Sequence, residues 1–321
     1  MAIEDTLENL ADNTKRAALH QLGALALLAE SGVPTRWLDP TFEKLYDDES
    51  HGTQQDTGED AHDALTELIR KSIVQQSADK ATTMLHRLQA QVLRESWNEK
   101  EHLLALEAGF TLLSTVDIDR FPTNATHLRQ RETRDLIAQF RAIGEQKRTQ
   151  NLLRNERVVG SLCWAFWHAN ELGLSLEASS LENSVTAVRT LLGEEHPGSL
   201  ASRNNLAGAY QDSGRLTEAI ALYEQVLNDR TRILGEDHPD TLISRDNLAG
   251  AYISAGRLTE AIALYEQVLH DRIRVLGEDH PDTLASRNNL AGAYREGGRL
   301  TEAIALYEQV LHDRIRVLGE D

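Results

Sequence analysis

The stretch GRLTEAIALYEQVL occupies residues 214–227 and recurs without a change at 256–269 and 298–311. Around it, Leu192-Gly193, Leu234-Gly235, Leu276-Gly277 and Leu318-Gly319 follow one another every 42 residues, as do Pro197, Pro239 and Pro281. Residues 198–239 and 240–281 agree at 32 of 42 positions, and 240–279 and 282–321 agree at 35 of 40. Self-similarity at such a period is the signature of a solenoid built from stacked units.

Each unit reads as two helices. The first is expected from about Thr241 to Ser254, capped by Asp240 or Thr241 after Pro239 and broken at Gly256. The second is expected from Thr259, another candidate cap, to Leu276, with Gly277 as a left-handed stop and His280-Pro281 preventing continuation. In the second helix Ala261, Ile262, Leu264, Tyr265, Val268 and Leu269 recur at helical spacing. One hairpin cannot bury both of its faces, but stacked copies can. The repeated fourteen letters are therefore the inter-helix turn plus the helix that packs on the next copy.

Variation between copies has a direction. The last two copies differ only at Ile243/Ala285, Asp246/Asn288, Ile253/Arg295, Ser254/Glu296 and Ala255/Gly297. At about 100° per residue, four of these five pairs share an arc of about 100° on the first helix, opposite Leu248 and Tyr252. The candidate ligand-contacting residues are therefore Ile243, Ala285, Asn204, Asp246, Asn288, Gln211, Ile253, Arg295, Asp212, Ser254 and Glu296. The alternative is a solvated face that drifts because nothing constrains it. Beside the arc stand Asn205, Asn247 and Asn289, each offering a donor and an acceptor that suit the backbone of an extended peptide. Arg203, Arg245 and Arg287 lie toward the packing side and read as structural, paired with acids of the preceding helix.

Leu248-Ala249, Tyr252, Gly256, Ala261 and Tyr265 resemble the tetratricopeptide signature, and NNLAGAY with LGEDHPDTL resembles its 42-residue variety found in kinesin light chains and bacterial regulators. The resemblance covers residues 198–321. It implies an α-solenoid whose variable stripe lines a concave groove for a protein or peptide, with Asn205, Asn247 and Asn289 as a ladder. Residues 156–197 form a worn copy in which His168 replaces Tyr210 and Leu181 replaces Tyr223. This copy is expected to cap the array, with Trp164 and Trp167 as its plug. The last copy stops within its linker, so the array is expected to be cut from a longer one or to self-associate end to end through its uncapped last copy.

Residues 1–16 read as a tail and 17–105 as a separate domain. There, helices are expected at 16–30, 34–46, 61–70 and 88–97, with an acidic loop at 47–60. Two short strands, SIVQQ and TTML, would form a hairpin wing around SADK. This order resembles the winged-helix segment of bacterial NB-ARC/STAND regulators, in which a histidine of an MH[DR]-like motif senses nucleotide. His86 in LHRL is the matching residue. No GxxxxGK[ST] occurs, so no phosphate cradle accompanies it. Residues 106–155, with a charged helix at 126–148, would bridge to the worn copy.

The fold class is thus mainly all-α: a winged-helix-like domain with a small β-hairpin, then a helical solenoid. Net charge is −18, which disfavours nucleic acid and anionic membrane as partners. A DNA-binding winged-helix regulator is the alternative function, but its third helix carries Asp63 and Glu67. A single cysteine, Cys163, makes no disulfide within the chain and fits a reducing cytoplasm. The longest apolar run, LGALALL at 22–28, is too short to span a bilayer. Glu-Asp-His-Pro (236–239, 278–281) reads as a helix cap and stop rather than a metal site. No catalytic motif, metal site or cofactor is expected, and the chain reads as a non-enzymatic interaction module.

Overall fold

The computed structural model describes residues 2–28, 32–39, 55–147 and 149–318. It contains two compact units, Met1–Gly193 and Glu194–Asp321.

In the first unit, the expected tail already contains helix α1 (Ala2–Glu8) and the start of α2 (Asp12–Leu27). Strand β1 (Val33–Pro34) leads into α3 (Thr35–Leu38), and α4 follows over Gln55–Arg70. The expected helix past Leu38 and the acidic loop up to residue 54 lie outside the described residues. From Gln55 onward the chain is helical, six residues ahead of the expected start at Ala61. Strands β2 (Val74–Gln76) and β3 (Thr82–Leu85) form the expected antiparallel hairpin. The sheet nonetheless has three strands, ordered β1-β3-β2, because Val33 pairs with Thr83. Two residues are too short a strand to leave a periodic signal.

Helices α5 (Arg87–Ser96), α6 (Glu99–Ser114) and α7 (Thr126–Glu145) come next. Helix α6 runs through residue 105, where a boundary was expected, and packs on α2. The approach is close: a Cβ on Gly23 would sit 2.9 Å from the Ala105 Cα. The charged segment expected as a bridge is instead a core helix of this unit. Leu136, Ile137, Phe140 and Ile143 are buried on one side of α7, together with Arg129 and Glu132. Glu132 holds α3 through Arg36 (2.6 Å) and the indole N–H of Trp37 (2.5 Å). Helices α8 (Glu156–Glu171), α9 (Ser175–Ala178) and α10 (Glu182–Leu192) form the worn copy. Trp164 and Trp167 do not plug it: they stand 51% and 54% exposed, and Leu162, Ala165, Phe166 and Ala169 fill the buried side.

The second unit is three helix pairs: α11 (Pro197–Asp212) with α12 (Leu216–Leu234), α13 (Pro239–Ser254) with α14 (Leu258–Leu276), and α15 (Pro281–Glu296) with α16 (Leu300–Leu318). The first-helix cap lies in the Glu-Asp-His-Pro stretch rather than at Asp240 or Thr241. Proline takes the first helical position, and the preceding histidine supplies the cap. His196, His238 and His280 each accept through Nδ1 from the backbone N–H two residues on, at 3.1–3.2 Å. Thr259 caps nothing, since α14 starts at Leu258 after Arg257. Gly277 has the expected positive φ of 89° but with ψ 166°, so the chain leaves the helix extended.

Within each pair a charge network joins the two helices. Arg203, Arg245 and Arg287 pair with Asp229, Asp271 and Asp313 at 2.8, 2.7 and 2.5 Å. These acids belong to the following helix, not the preceding one. Asp271 and Asp313 also meet Arg274 and Arg316, which reach back to Asp237 and Asp279 in the turn before the first helix. Between pairs the contact is mainly apolar. Ile220 and Tyr223 of α12 cluster with Leu248, Ala251 and Tyr252 of α13, and Tyr265 of α14 with Leu290, Ala293 and Tyr294 of α15. The first-helix tyrosines Tyr210, Tyr252 and Tyr294 each lie under an arginine of the following turn, Arg215, Arg257 and Arg299, at 4.0 Å.

Removing one member of a buried ion pair leaves the other charge without its partner. Arg245→Ala should lower the unfolding free energy of the array by about 3 kcal/mol. Replacing Arg245 and Asp271 together by Leu should restore most of that loss. Urea unfolding followed by helical circular dichroism measures both.

Candidate peptide-binding surface

The residues of the stripe inferred from helical angles lie on α11, α13 and α15 and differ in burial. Leu248 and Tyr252 are 4% and 8% exposed, facing neighbouring helices. Ile243, Ala285, Asp212, Ser254, Arg295 and Glu296 are exposed. Asn204, Asn205, Asn247, Gln211 and Ile253 are half-buried, and Asn288 and Asn289 are exposed. Side chains of successive copies meet along the stripe. Asn247 donates from Nδ2 to the Asn204 Oδ1 at 3.2 Å, and Gln211 donates from Nε2 to the Ser254 Oγ at 3.0 Å. In the last copy Arg295 pairs with the adjacent Glu296 at 2.9 Å.

Two stripe residues do more than face outward. Ile253 packs against both inter-copy clusters. Asp246 is drawn inward: its side chain is 14% exposed and ion-paired with Arg272 at 2.6 Å. Burial pushes its carboxyl above the ordinary aspartate range, against the pull of Arg272. Arg272 also donates to the Ser286 Oγ (2.6 Å) and the Asp282 carbonyl (3.2 Å) of the next copy. In the preceding copy Arg230 makes the same two bonds, to Ser244 (2.8 Å) and the Asp240 carbonyl (3.0 Å), but Asn204 stands where Asp246 would. Burial correspondingly pulls the Arg230 guanidinium below its usual value. The arginines are unchanged between copies, which was the available signal. Their partners lie in a different helix, so angle alone could not assign them.

A second feature also escaped the pattern of variation. Gly208, Gly250 and Gly292 lie in the middle of the variable arc yet never change. Beneath them sit tyrosine hydroxyls: an added Cβ would come within 3.2 Å of the Tyr223 Oη, 3.4 Å of Tyr265 and 3.7 Å of Tyr307. Burial raises the Tyr265 phenol to about 12. The stripe therefore has a small, fixed floor between changing walls. A glycine conserved in every copy inside a helix was the clue in the sequence.

His86, the nucleotide-sensor candidate, is an exposed N-cap whose Nδ1 accepts from the Leu88 N–H at 3.2 Å, the same role as His196, His238 and His280. Among the described residues no three His, Cys, Asp or Glu side chains could hold a metal ion. No described helix is long and apolar enough to cross a membrane.

Residues 178–228, 198–270 and 247–312 match the tetratricopeptide repeat family. A search of curated proteins gives no match. Among solved structures, the chain is similar to the nearly identical TPR-like repeats of a kinesin light chain from Podosopora anserina. Two such structures are 30% and 32% identical, covering 62% and 60% of this chain and 100% and 98% of those chains, with TM-scores of 0.47 and 0.45. A signal transduction ATPase with numerous domains and a tetratricopeptide repeat sensor, from Pyrococcus horikoshii, is 12% identical. That match covers 99% of this chain and 53% of that one, with a TM-score of 0.37.

The contrast between Arg230 and Arg272 has a measurable consequence. Asn204→Asp supplies the carboxylate that the first copy lacks, but the burial that raises Asp246 opposes the attraction to Arg230, so the unfolding free energy should stay within about 1 kcal/mol of the parent's. A urea midpoint lowered beyond that would show that Arg230 needs no such partner.

Proposed function

We propose that this chain, which belongs to the tetratricopeptide repeat family through residues 178–312, is a protein–protein interaction module that takes an extended peptide along the stripe of α11, α13 and α15. One observation carries this reading. The last two copies keep the counterparts of Leu248 and Tyr252 and place four of their five differences on one arc of the first helix, and side chains of the first and second copies meet along that arc. A surface that merely drifts has no reason to confine its changes to one arc while the exposed positions of α14 and α16 stay identical.

In this mode the ligand backbone lies over the glycine floor. Asn205, Asn247 and Asn289 hydrogen-bond to its amides, as side-chain amides can do in both directions. Its side chains meet Gln211 and Asp212, then Ile253 and Ser254, then Arg295 and Glu296. We further propose that the first unit serves as the winged-helix segment of a STAND-type regulator. The succession α2, β1, α3, α4, β2, β3, α5 supports that reading. Peptide binding would then be the sensing event that such a regulator needs.

Peptides selected from a randomised extended library against the full chain test the binding mode. The triple change Asn205→Ala, Asn247→Ala, Asn289→Ala should weaken the selected peptides by about tenfold or more. The unfolding free energy should fall by no more than about 1 kcal/mol per site, the weight of a hydrogen bond such as the one Asn247 makes to Asn204. Selected peptides that bind the triple variant unchanged would place the binding surface elsewhere.

A further inference from the structure

The first unit holds a cavity of about 230 Å³ that the peptide-binding stripe does not use. Its walls come from the α6–α7 loop, through Thr115, Asp117 and Asp119, and from α8, through Ser161, Trp164 and His168. Trp164 is half exposed yet not loose. Its ring stacks on the imidazole of His168 at 5.0 Å and 21°, and Trp167 meets it edge-on at 5.4 Å. His168 is 1% exposed, so the base of this aromatic group is fixed in the core.

The charge around the cavity is one-sided. Arg129 donates to Asp119 at 3.3 Å and to Glu171 at 2.9 Å, so one guanidinium serves two carboxylates. Asp117 adds a third, with its Oδ1 accepting from the Asp119 N–H at 3.0 Å. His168 lies 3.7 Å from Asp119 and 3.4 Å from Arg129. Burial, the largest influence on its ring, favours the neutral imidazole. Asp119 and Glu171 thus share the Arg129 guanidinium, and Asp117 adds a carboxylate on the cavity wall.

A rigid indole beside surplus carboxylate is a recognition chemistry for organic cations. The ring quadrupole attracts a cation above its face, and tryptophan does this best among aromatic side chains. Nearby carboxylates supply the counter-charge. A small inorganic cation keeps its hydration shell and gains little from the ring, and an anion would meet Asp117 and Asp119. We infer that the cavity between the α6–α7 loop and α8 is a binding site for an alkylammonium head group, held between the face of Trp164 and the carboxylates of Asp117 and Asp119. Such a head group is carried by a small quaternary amine or by a lysine side chain.

Tryptophan fluorescence of the full chain tests this at constant chloride and ionic strength. The probes are tetramethylammonium, Nα-acetyl-lysine methylamide and the neutral isostere tert-butanol. Saturable change with at least one cation and none with tert-butanol is expected. Both Asp117→Asn and Trp164→Leu should weaken that binding about tenfold, the effect of removing a close cation–π or charge contact. Asp117 is exposed, so its variant leaves the fold in place and keeps the test meaningful if Trp164→Leu disturbs α8. The tighter of the two cations identifies the source of the head group. An equal response to tert-butanol, no response to either cation, or unchanged binding in either variant overturns the assignment.

Discussion

Each helix pair in the second unit has one face its own partner helix cannot cover, and the next copy must cover it. Helix α13 is held in this way from two directions, by α12 of the previous copy and by α14 of its own. Leu248, Ala251 and Tyr252 take part in that burial, and a buried tyrosine or leucine contributes roughly 2–3 kcal/mol relative to exposure. Close packing makes such positions intolerant of a change of even one methylene. That constraint keeps the counterparts of Leu248, Ala249 and Tyr252 identical in all three copies. Most of the changes between the last two copies fall away from that side, although Ile253 and Asp246 vary while partly packed.

Polar and apolar contacts divide the work between them. The link from copy to copy is mainly a cluster of leucine, alanine and tyrosine, which fixes distance but tolerates some slip. The link inside a copy is the run Arg245, Asp271, Arg274, Asp237, which ties the first helix, the second helix and the preceding turn. Its outer members are about half exposed and add little stability in water. Its inner pair is buried, where directional bonds constrain geometry more than they add net stability. Arg272 and Arg230 bridge the two systems, since each reaches from one copy into the first helix of the next.

The repeat was legible because its period and helical spacing lie on the surface of the sequence. Helix pairs, glycine breaks and the side occupied by Leu248 and Tyr252 followed from them. The misplaced details all involve partners brought close only by folding. Asp271 lies 26 residues after Arg245, so nothing local distinguished it from an acid of the preceding helix. Asp246 has the angle of an outward residue, yet Arg272 folds over it. Glu-Asp-His-Pro read as a cap and stop, but its histidine was not singled out because serine, threonine and aspartate are the usual caps, and Asp240 and Thr241 stood next in line. In the first unit there is no second copy to compare. Helix α7 reads as charged because its buried Arg129 and Glu132 look like surface residues until their partners Glu171 and Arg36 are in place. The outward tryptophans of α8 read as core for the same reason: a large aromatic at helical spacing usually is.

A single floor with changing walls gives the proposed surface an order. Each copy sets the same glycine over a tyrosine hydroxyl, so a ligand backbone would meet the same depth at each step. The walls do not repeat: Gln211 and Asp212 are polar, Ile253 and Ser254 mostly apolar, and Arg295 and Glu296 oppositely charged. A ligand sliding by one copy would keep its backbone bonds and lose its side-chain matches. Affinity from the constant elements and register from the variable ones are therefore separable on this surface. That separation also explains why near-identical copies can serve better than identical ones. With all three alike, an extended segment would bind in several registers of equal energy, and no one register would be favoured.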